Sequence, residues 1–396
     1  VTAPATAAAR AFEPVNLGPL RLRNRVIRTA TFEGMCPGGA PSDALVALHR
    51  DAAAGGVGMT TVAYCSVSAD GRTYAHQMLM QPEIVPALRR LTDAVHAEGA
   101  AASIQLGHCG FFASRGVIAG RPIGPSRVFN TYGLSFCRAM DAGDIARVTG
   151  DFGRATRLAI EAGFDAVELH VGHGYLLSQF LSPATNHRRD GYGGSLDGRL
   201  RLVREVVAEV AKAAAGKVCV LAKMNLEDGF AGGLELAEAI EVGRALEAAG
   251  VDALVPSGGF VSRTPLYMLR GEVPTRDMVA VQPFWWQKLG LALFGRLFVQ
   301  RYPYSPLFFR EGASALKAAV GVPVVLLGGI RSLADIETAM DAGFDAVAMG
   351  RALIREPDLI NRYRAALARD ARCTPCNRCI AEMDRGGVRC ALDAAN

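Results

Sequence analysis

The chain has 396 residues, half of them hydrophobic, with 43 basic and 38 acidic side chains and a formal charge of +5. That length suits one large core, a barrel or a two-domain α/β protein, and a near-balanced charge with no basic run or acidic tail argues against nucleic acid as a partner. No run of about 18 uninterrupted apolar residues occurs, which excludes an integral membrane helix.

The opening stretch "VTAPATAAARA", residues 1–11, is small and unpatterned and lacks the apolar centre of a signal peptide, so a flexible lead and a soluble, cytoplasmic protein are expected. From residue 12 to 368, short β-branched or apolar runs alternate with longer amphipathic stretches. The runs are 24–31, 57–64, 100–106, 165–170, 218–225, 252–259, 322–329 and 345–351. Helix-like segments such as "DALVALHRDAAAGG" and "LAEAIEVGRALEAAG" separate them, several closed by a terminal glycine. Eight strands with intervening helices predict a closed (β/α)8 TIM barrel. An open doubly wound sheet is the weaker alternative, because no GxGxxG opens the first βα turn. Residues 260–312 interrupt the repeat with an aromatic-rich excursion, expected as a helical hairpin, a lid or an oligomer contact.

Catalytic groups in such a barrel sit at the C-terminal ends of strands. Gln105 ends the third run; His170 ends the fourth, followed by His173 and Tyr175; Lys223 and Asn225 end the fifth. A lone histidine reads first as a satisfied core residue, but this convergence at one mouth reads as a site. The glycines at 328, 329 and 350, beside Met349 and Arg351, leave backbone N–H groups open to a phosphate and add a forked cation, which implies a phosphorylated cofactor. Lys223 stands out because only five of the basic residues are lysine.

Residues 12–365 resemble the Old Yellow Enzyme family of FMN-dependent oxidoreductases. The motifs that carry the resemblance are "NRVIRTATFEGM", "SIQLGHCG", "HVGHGYLLSQFLSPATNHRRDGYGGSLDGRLRLV", "VVLLGGI" and "AMGRALIREPDLI". It implies a flavin edge lined by Thr29, Ala30 and Thr31 with Ala63 nearby, Gln105 on the pyrimidine ring and Lys223 by the N1–C2=O locus. It also places Gly328, Gly329, Met349, Gly350 and Arg351 around the cofactor, with the phosphate held by Gly329, Gly350 and Arg351. NADH or NADPH would reduce the flavin in the same pocket. His170 and His173 would then donate to a substrate carbonyl, and Tyr175, a phenol with an unperturbed pKa of about 10, would deliver the proton while hydride leaves flavin N5. Three positions depart from the pattern: Phe32 where threonine or cysteine is common, Phe111 where arginine is common, and Lys223 where arginine is frequent.

Nine cysteines occur. Cys36, Cys65, Cys109, Cys137 and Cys219 read as packing or loop residues, whereas Cys373, Cys376, Cys379 and Cys390 crowd into a tail, 369–396, with soft-ligand spacing that suits zinc or a four-iron cluster. The tail resembles the cluster-binding segment of the trimethylamine dehydrogenase and 2,4-dienoyl-CoA reductase branch, in which nucleotide-binding domains follow; here a cluster would need a separate redox partner, be structural, or be absent. The expected activity is NAD(P)H-dependent reduction of an activated C=C bond in a small-molecule substrate. The alternatives are an amine or enone-forming dehydrogenase using the cluster, a Schiff-base aldolase using Lys223, and a cofactor-binding sensor without turnover. The aromatics of the excursion make a homo-oligomer plausible.

Overall fold

Each apolar run forms a strand whose bounds fall within three residues of those read from the sequence. In the structure, a computed structural model that describes residues 7–130, 135–282 and 285–393, the strands are Val26–Arg28, Met59–Ser66, Ala101–Gly107, Ala166–Val171, Cys219–Asn225, Ala253–Ser257, Val325–Leu327 and Ala346–Met349. The first six pair in chain order, all in parallel, and the eighth joins the seventh to the first. A parallel bridge between Leu254 and Val324 closes the sixth strand onto the seventh. The fold is a (β/α)8 barrel.

Local sequence sets the helix starts. Ser42 accepts from the Leu45 amide to cap Asp43–Ala54, and reciprocal capping boxes, Asp141 with Asp144 and Ser332 with Asp335, open Ala142–Glu161 and Leu333–Asp341. The inward-facing residues grade from apolar to polar along each strand. On the fifth strand Cys219 and Leu221 join a cluster with Ile27, Met59, Ala166, Val255, Val325 and Ala346, whereas Lys223 and Asn225 stand at the C-terminal end. A hairpin of Val15–Leu17 and Leu20–Leu22 plugs the base through Leu17 and Leu22. The base is therefore a dry core and the mouth a polar ring.

The flexible lead differs from expectation. Residues 1–6 lie outside the described residues, but Ala7–Ala11 form a helical turn, with Ala11 buried and Arg10 ion-paired to Asp341. Residues 283 and 284 of the excursion also lie outside them. It contains the helices Thr275–Ala280 and Trp285–Phe298 and the start of Arg310–Ala319, and part of it walls the mouth of the barrel. Among the described residues no helix is long and apolar enough to cross a membrane. All nine cysteines are free, and the five read as packing residues are buried.

The cysteine tail docks back onto the barrel. The Val388 amide donates to the Glu33 carbonyl at 2.8 Å, and Arg378 pairs with Asp277 of the excursion at 3.1 Å. Gly34 has φ +68, and a Cβ there would press into the Met383 carbonyl oxygen. Gly34→Ala is therefore expected to cost about 1–3 kcal/mol and to loosen the tail. Urea unfolding should show a lower midpoint, and Cys376 should react faster with a thiol reagent; wild-type labelling rates would show that the contact does not seat the tail.

Candidate active site

The longest loop motif of the sequence folds tightly over the end of the fourth strand. His173 adopts φ 60 between Gly172 and Gly174, a left-handed conformation uncommon outside glycine. Neighbouring elements hold it there: its amide donates to Asn225 Oδ1 at 2.9 Å, and its carbonyl accepts from the Val261 amide at 2.9 Å. The loop then delivers Tyr175 to the start of the helix Leu176–Leu181.

This geometry brings the imidazoles together. His170 Nε2 lies 3.0 Å from His173 Nδ1, and His173 Nε2 lies 2.7 Å from Ser257 Oγ at the end of the sixth strand. The sequence reading had both rings donating to a substrate oxygen. As they stand they bond to each other, so an oxygen accepting from both must insert between the facing nitrogens. Burial, with the charges of His173 and Lys223, holds His170 well below the ordinary histidine range; burial and Lys223 lower His173 to about 3. Both rings are neutral at physiological pH.

Beside them the Tyr175 hydroxyl stands 3.1 Å from the Tyr64 hydroxyl, at the end of the second strand. The Tyr175 and His170 rings are 4.3 Å apart, and Phe32 stacks on Tyr74 at 4.7 Å. Phe32 thus contributes an aromatic wall to the mouth. Phe111, by contrast, is buried against Phe260, with ring centroids 6.1 Å apart.

A second polar group crosses the mouth. Glu168 Oε1 accepts from Gln105 Nε2 at 2.7 Å and from Lys223 Nζ at 2.9 Å, and Lys223 also donates to Thr29 Oγ1 at 3.0 Å. An amine held as the cationic partner of a buried carboxylate is a poor nucleophile, which weighs against the Schiff-base alternative.

These groups share one cavity of about 1780 Å³. Its wall includes Thr29, Ala30, Thr31, Gln105, His170, His173, Tyr175, Lys223, Gly328, Gly329, Met349, Gly350 and Arg351. Ala63 is the exception: it is buried behind that wall, with its amide bonded to Glu33 Oε2 at 2.9 Å. At the far end Gly328 and Gly329 have φ 104 and 74, and a Cβ at Gly350 would crowd Thr29 and Thr31. Arg351 and Arg331 flank that end, and Arg331 Nε is buried without a partner. The glycine and arginine cradle fits a phosphate, the apolar middle a planar ring, and the Gln105, Lys223 and Thr29 group the polar edge of that ring. The residues fit FMN.

The tail meets the cradle. Arg351 Nη1 donates to the Arg270 carbonyl at 3.0 Å and also to Asn377 Oδ1. Cys373, Cys376, Cys379 and Cys390 surround a second cavity of about 20 Å³ that Arg351 also lines. Among the described residues no three potential ligands stand close enough to hold a single metal ion, so one zinc with sulfurs at about 2.3 Å does not fit as they stand. The four cysteines are nonetheless gathered around that one small cavity. Burial raises the Cys373 thiol, and pushes that of Cys379 up to about 12.

Sequence reasoning missed Ser257, Tyr64 and Glu168. Glu168 lay two residues before His170, hence on the same inward face of a strand, and that period-two signal was available. Ser257 carried the same signal, two residues after the inward Val255, whereas Tyr64 did not, because the ladder is irregular between Val62 and Cys65.

Comparison with known proteins agrees with this geometry. Residues 10–261 match the model of the NADH:flavin oxidoreductase / NADH oxidase family, and residues 311–372 match a histidine biosynthesis protein model. The chain is 43% identical over 385 residues to 4,4'-dithiodibutanoate disulfide reductase of Rhodococcus erythropolis, covering 96% of this chain and 94% of that protein. It is 32% identical over 371 residues to the multifunctional alkene reductase/demethylase OYE of Caballeronia cordobensis, covering 92% of this chain and 50% of that one. In fold it is similar to 2-naphthoyl-CoA reductase solved with 2-naphthoyl-CoA, with a TM-score of 0.77 at 24% identity, covering 91% of this chain and 52% of that chain. It thus spans about half the length of the latter two.

The histidine shifts fix a sign for pH dependence. His173 titrates near about 3 when folded and near about 6.5 when unfolded, so between those values the unfolded chain binds the extra proton. The contribution is fully present above about 6.5 and is lost as pH falls toward 3. His173→Asn is expected to flatten the decline in urea stability between pH 7 and pH 4.5. An unchanged slope would refute a buried neutral His173.

Proposed function

The chain belongs to the NADH:flavin oxidoreductase / NADH oxidase family and is an FMN-dependent NAD(P)H oxidoreductase, and on that premise we propose that it reduces an activated C=C bond with Tyr175 as the proton donor. The observation that carries this reading is the placement of a hydrogen-bonded phenol and two neutral imidazoles on one wall of the cavity that also holds the glycine and arginine cradle.

When bound, FMN supplies two-electron chemistry, accepting a hydride equivalent from NAD(P)H and returning it to the acceptor. The chain supplies the rest. Gly328, Gly329, Gly350 and Arg351, with Arg331 beside them, would take the phosphate, and Gln105, Lys223, Thr29, Ala30 and Thr31 the ring, with Met349 at its side. His170 and His173 would receive a carbonyl oxygen between their facing nitrogens: with Ser257 donating to His173 Nε2, His173 Nδ1 carries the proton, and His170, which accepts from it in the closed contact, would present Nε2–H once the oxygen parts the rings. Two donors from neutral rings stabilise enolate-like charge without a counter-ion. Tyr175 would protonate the α-carbon, and Tyr64, 3.1 Å away, would return a proton to it.

A second reading draws on the relative 43% identical across nearly its whole length, which is named for disulfide reduction. An organic disulfide would take two electrons and two protons to give two thiols, with Tyr175 protonating the first thiolate released. Assaying NAD(P)H oxidation with 2-cyclohexenone and with 4,4'-dithiodibutanoate side by side separates the two.

The barrel, about 12–368, and the tail, 369–396, form the two parts of this design. A cluster on Cys373, Cys376, Cys379 and Cys390, serving a separate redox partner, is supported by the shared thiol cavity, and iron assay of protein purified without air tests it. Exposed Trp285, Leu289 and Leu293, four residues apart on one helix, support self-association. Nine free cysteines support a reducing, cytoplasmic setting.

Tyr175→Phe is expected to slow enone reduction by about 10²–10⁴-fold while reduction of the flavin by NAD(P)H keeps its rate. Stopped-flow measurement of the two half-reactions checks this; an unaltered rate toward the enone removes Tyr175 as the acid, and protein releasing no FMN on denaturation removes the whole reading.

A further inference from the structure

Glu168 has no role in the reaction just described, yet it is tied to two residues that reach the cavity. It lies on the fourth strand, 3% exposed, with Gln105 as its register partner on the third strand and Leu221 on the fifth. One oxygen, Oε1, accepts from both Gln105 Nε2 and Lys223 Nζ, at 2.7 and 2.9 Å. Lys223, Gln105 and Thr29 line the cavity, and Glu168 stands behind them. Buried carboxylates persist when paired and hydrogen-bonded, and this one has both conditions met.

We propose that Glu168 is a positioning residue that sets the reduction potential of the bound flavin, by cancelling the Lys223 charge and by turning the Gln105 amide. This rests on FMN occupying the cavity as proposed above. With Gln105 Nε2 committed to Glu168, its Oε1 is left as an acceptor toward the cavity, matching an imide N–H rather than a carbonyl.

The charge argument is independent of that orientation. Reduction of the flavin to its anionic form takes up two electrons and one proton, which NAD(P)H supplies as hydride, and leaves the ring one unit more negative. A lone ammonium beside it would favour the reduced form. The Lys223–Glu168 pair presents a dipole instead of a net charge, so the potential stays lower and the reduced flavin remains the stronger donor to its acceptor.

The test is the midpoint potential of flavin-loaded wild-type, Glu168→Gln, Lys223→Met and double-variant protein, by dye equilibration. Glu168→Gln is expected to favour the reduced form about tenfold, which is about 30 mV upward for a two-electron couple. It should also weaken FMN binding, read by fluorescence, as the Gln105 amide exchanges a carboxylate acceptor for a neutral amide that can also turn its own donor toward it. Lys223→Met should move the potential downward, and the double variant should lie above Lys223→Met and near wild type. That last comparison measures the carboxylate in a background without an unpaired lysine, so it holds even where Glu168→Gln alone fails to fold. A purely structural Glu168 would change stability and affinity without opposite shifts. Flavin-loaded variants whose potentials do not move, or move in one direction, overturn the proposal while leaving the FMN seat intact; wild-type protein unable to bind FMN overturns both.

Discussion

Parallel register does more than hold the sheet together; it decides which polar side chains can meet. His170 on the fourth strand is the Cα partner of Lys223 on the fifth, Glu168 that of Gln105 on the third, and Asn225 that of Ser257 on the sixth. A slip of one residue on the fourth or fifth strand would turn its inward set outward, separating Glu168 from Lys223 and leaving a charge buried alone. The apolar base locks the register, because Leu221, Val255 and Ile27 occupy the same inward rows lower down and pack on the Leu17 and Leu22 plug. The dry end of the barrel is what lets the wet end be polar.

The mouth is built as two hydrogen-bonded groups that do not share an atom. Ser257, His173 and His170 form one, a chain of neutral donors and acceptors suited to meeting an oxygen. Thr29, Lys223, Glu168 and Gln105 form the other, charged internally and balanced. The groups communicate through space, since Lys223 lowers both histidine pKa values. Burial and the nearby ammonium keep both imidazoles neutral, so they can meet an oxygen only through hydrogen bonds.

Much of this was legible in the sequence, and the limits have physical causes. The eight strands showed as apolar runs, and the histidines, Tyr175, Gln105, Lys223 and the glycines could be placed because strand ends are where a barrel collects chemistry. What single residues do to one another was not legible. The 3.0 Å contact between His170 and His173 depends on a left-handed His173 backbone held by Asn225 and Val261, elements far apart in the chain. Tyr64 meets Tyr175 across 111 positions of sequence, and Ala63 beside it turns away to Glu33, a difference set by strand alternation near an irregularity between Val62 and Cys65. The short ladders after the third strand, Ile123–Gly124 with Arg138–Ala139 and Phe129–Asn130 with Ser135–Phe136, are too brief to leave a period.

The tail ties its own order to the cofactor end of the cavity. Arg351 is shared: it faces the glycine cradle, and its guanidinium donates to the carbonyl of Arg270 from the excursion and to the side chain of Asn377 from the tail. Asn377 lies between Cys376 and Cys379 and in turn donates to the Glu272 carbonyl at 2.9 Å. Three segments remote in sequence thus converge on one cation. A guanidinium whose Nη1 is committed to two neutral acceptors loses rotational freedom without being neutralised by a carboxylate, so under the proposed seating the excursion and the tail would preorganise the phosphate end of the cavity.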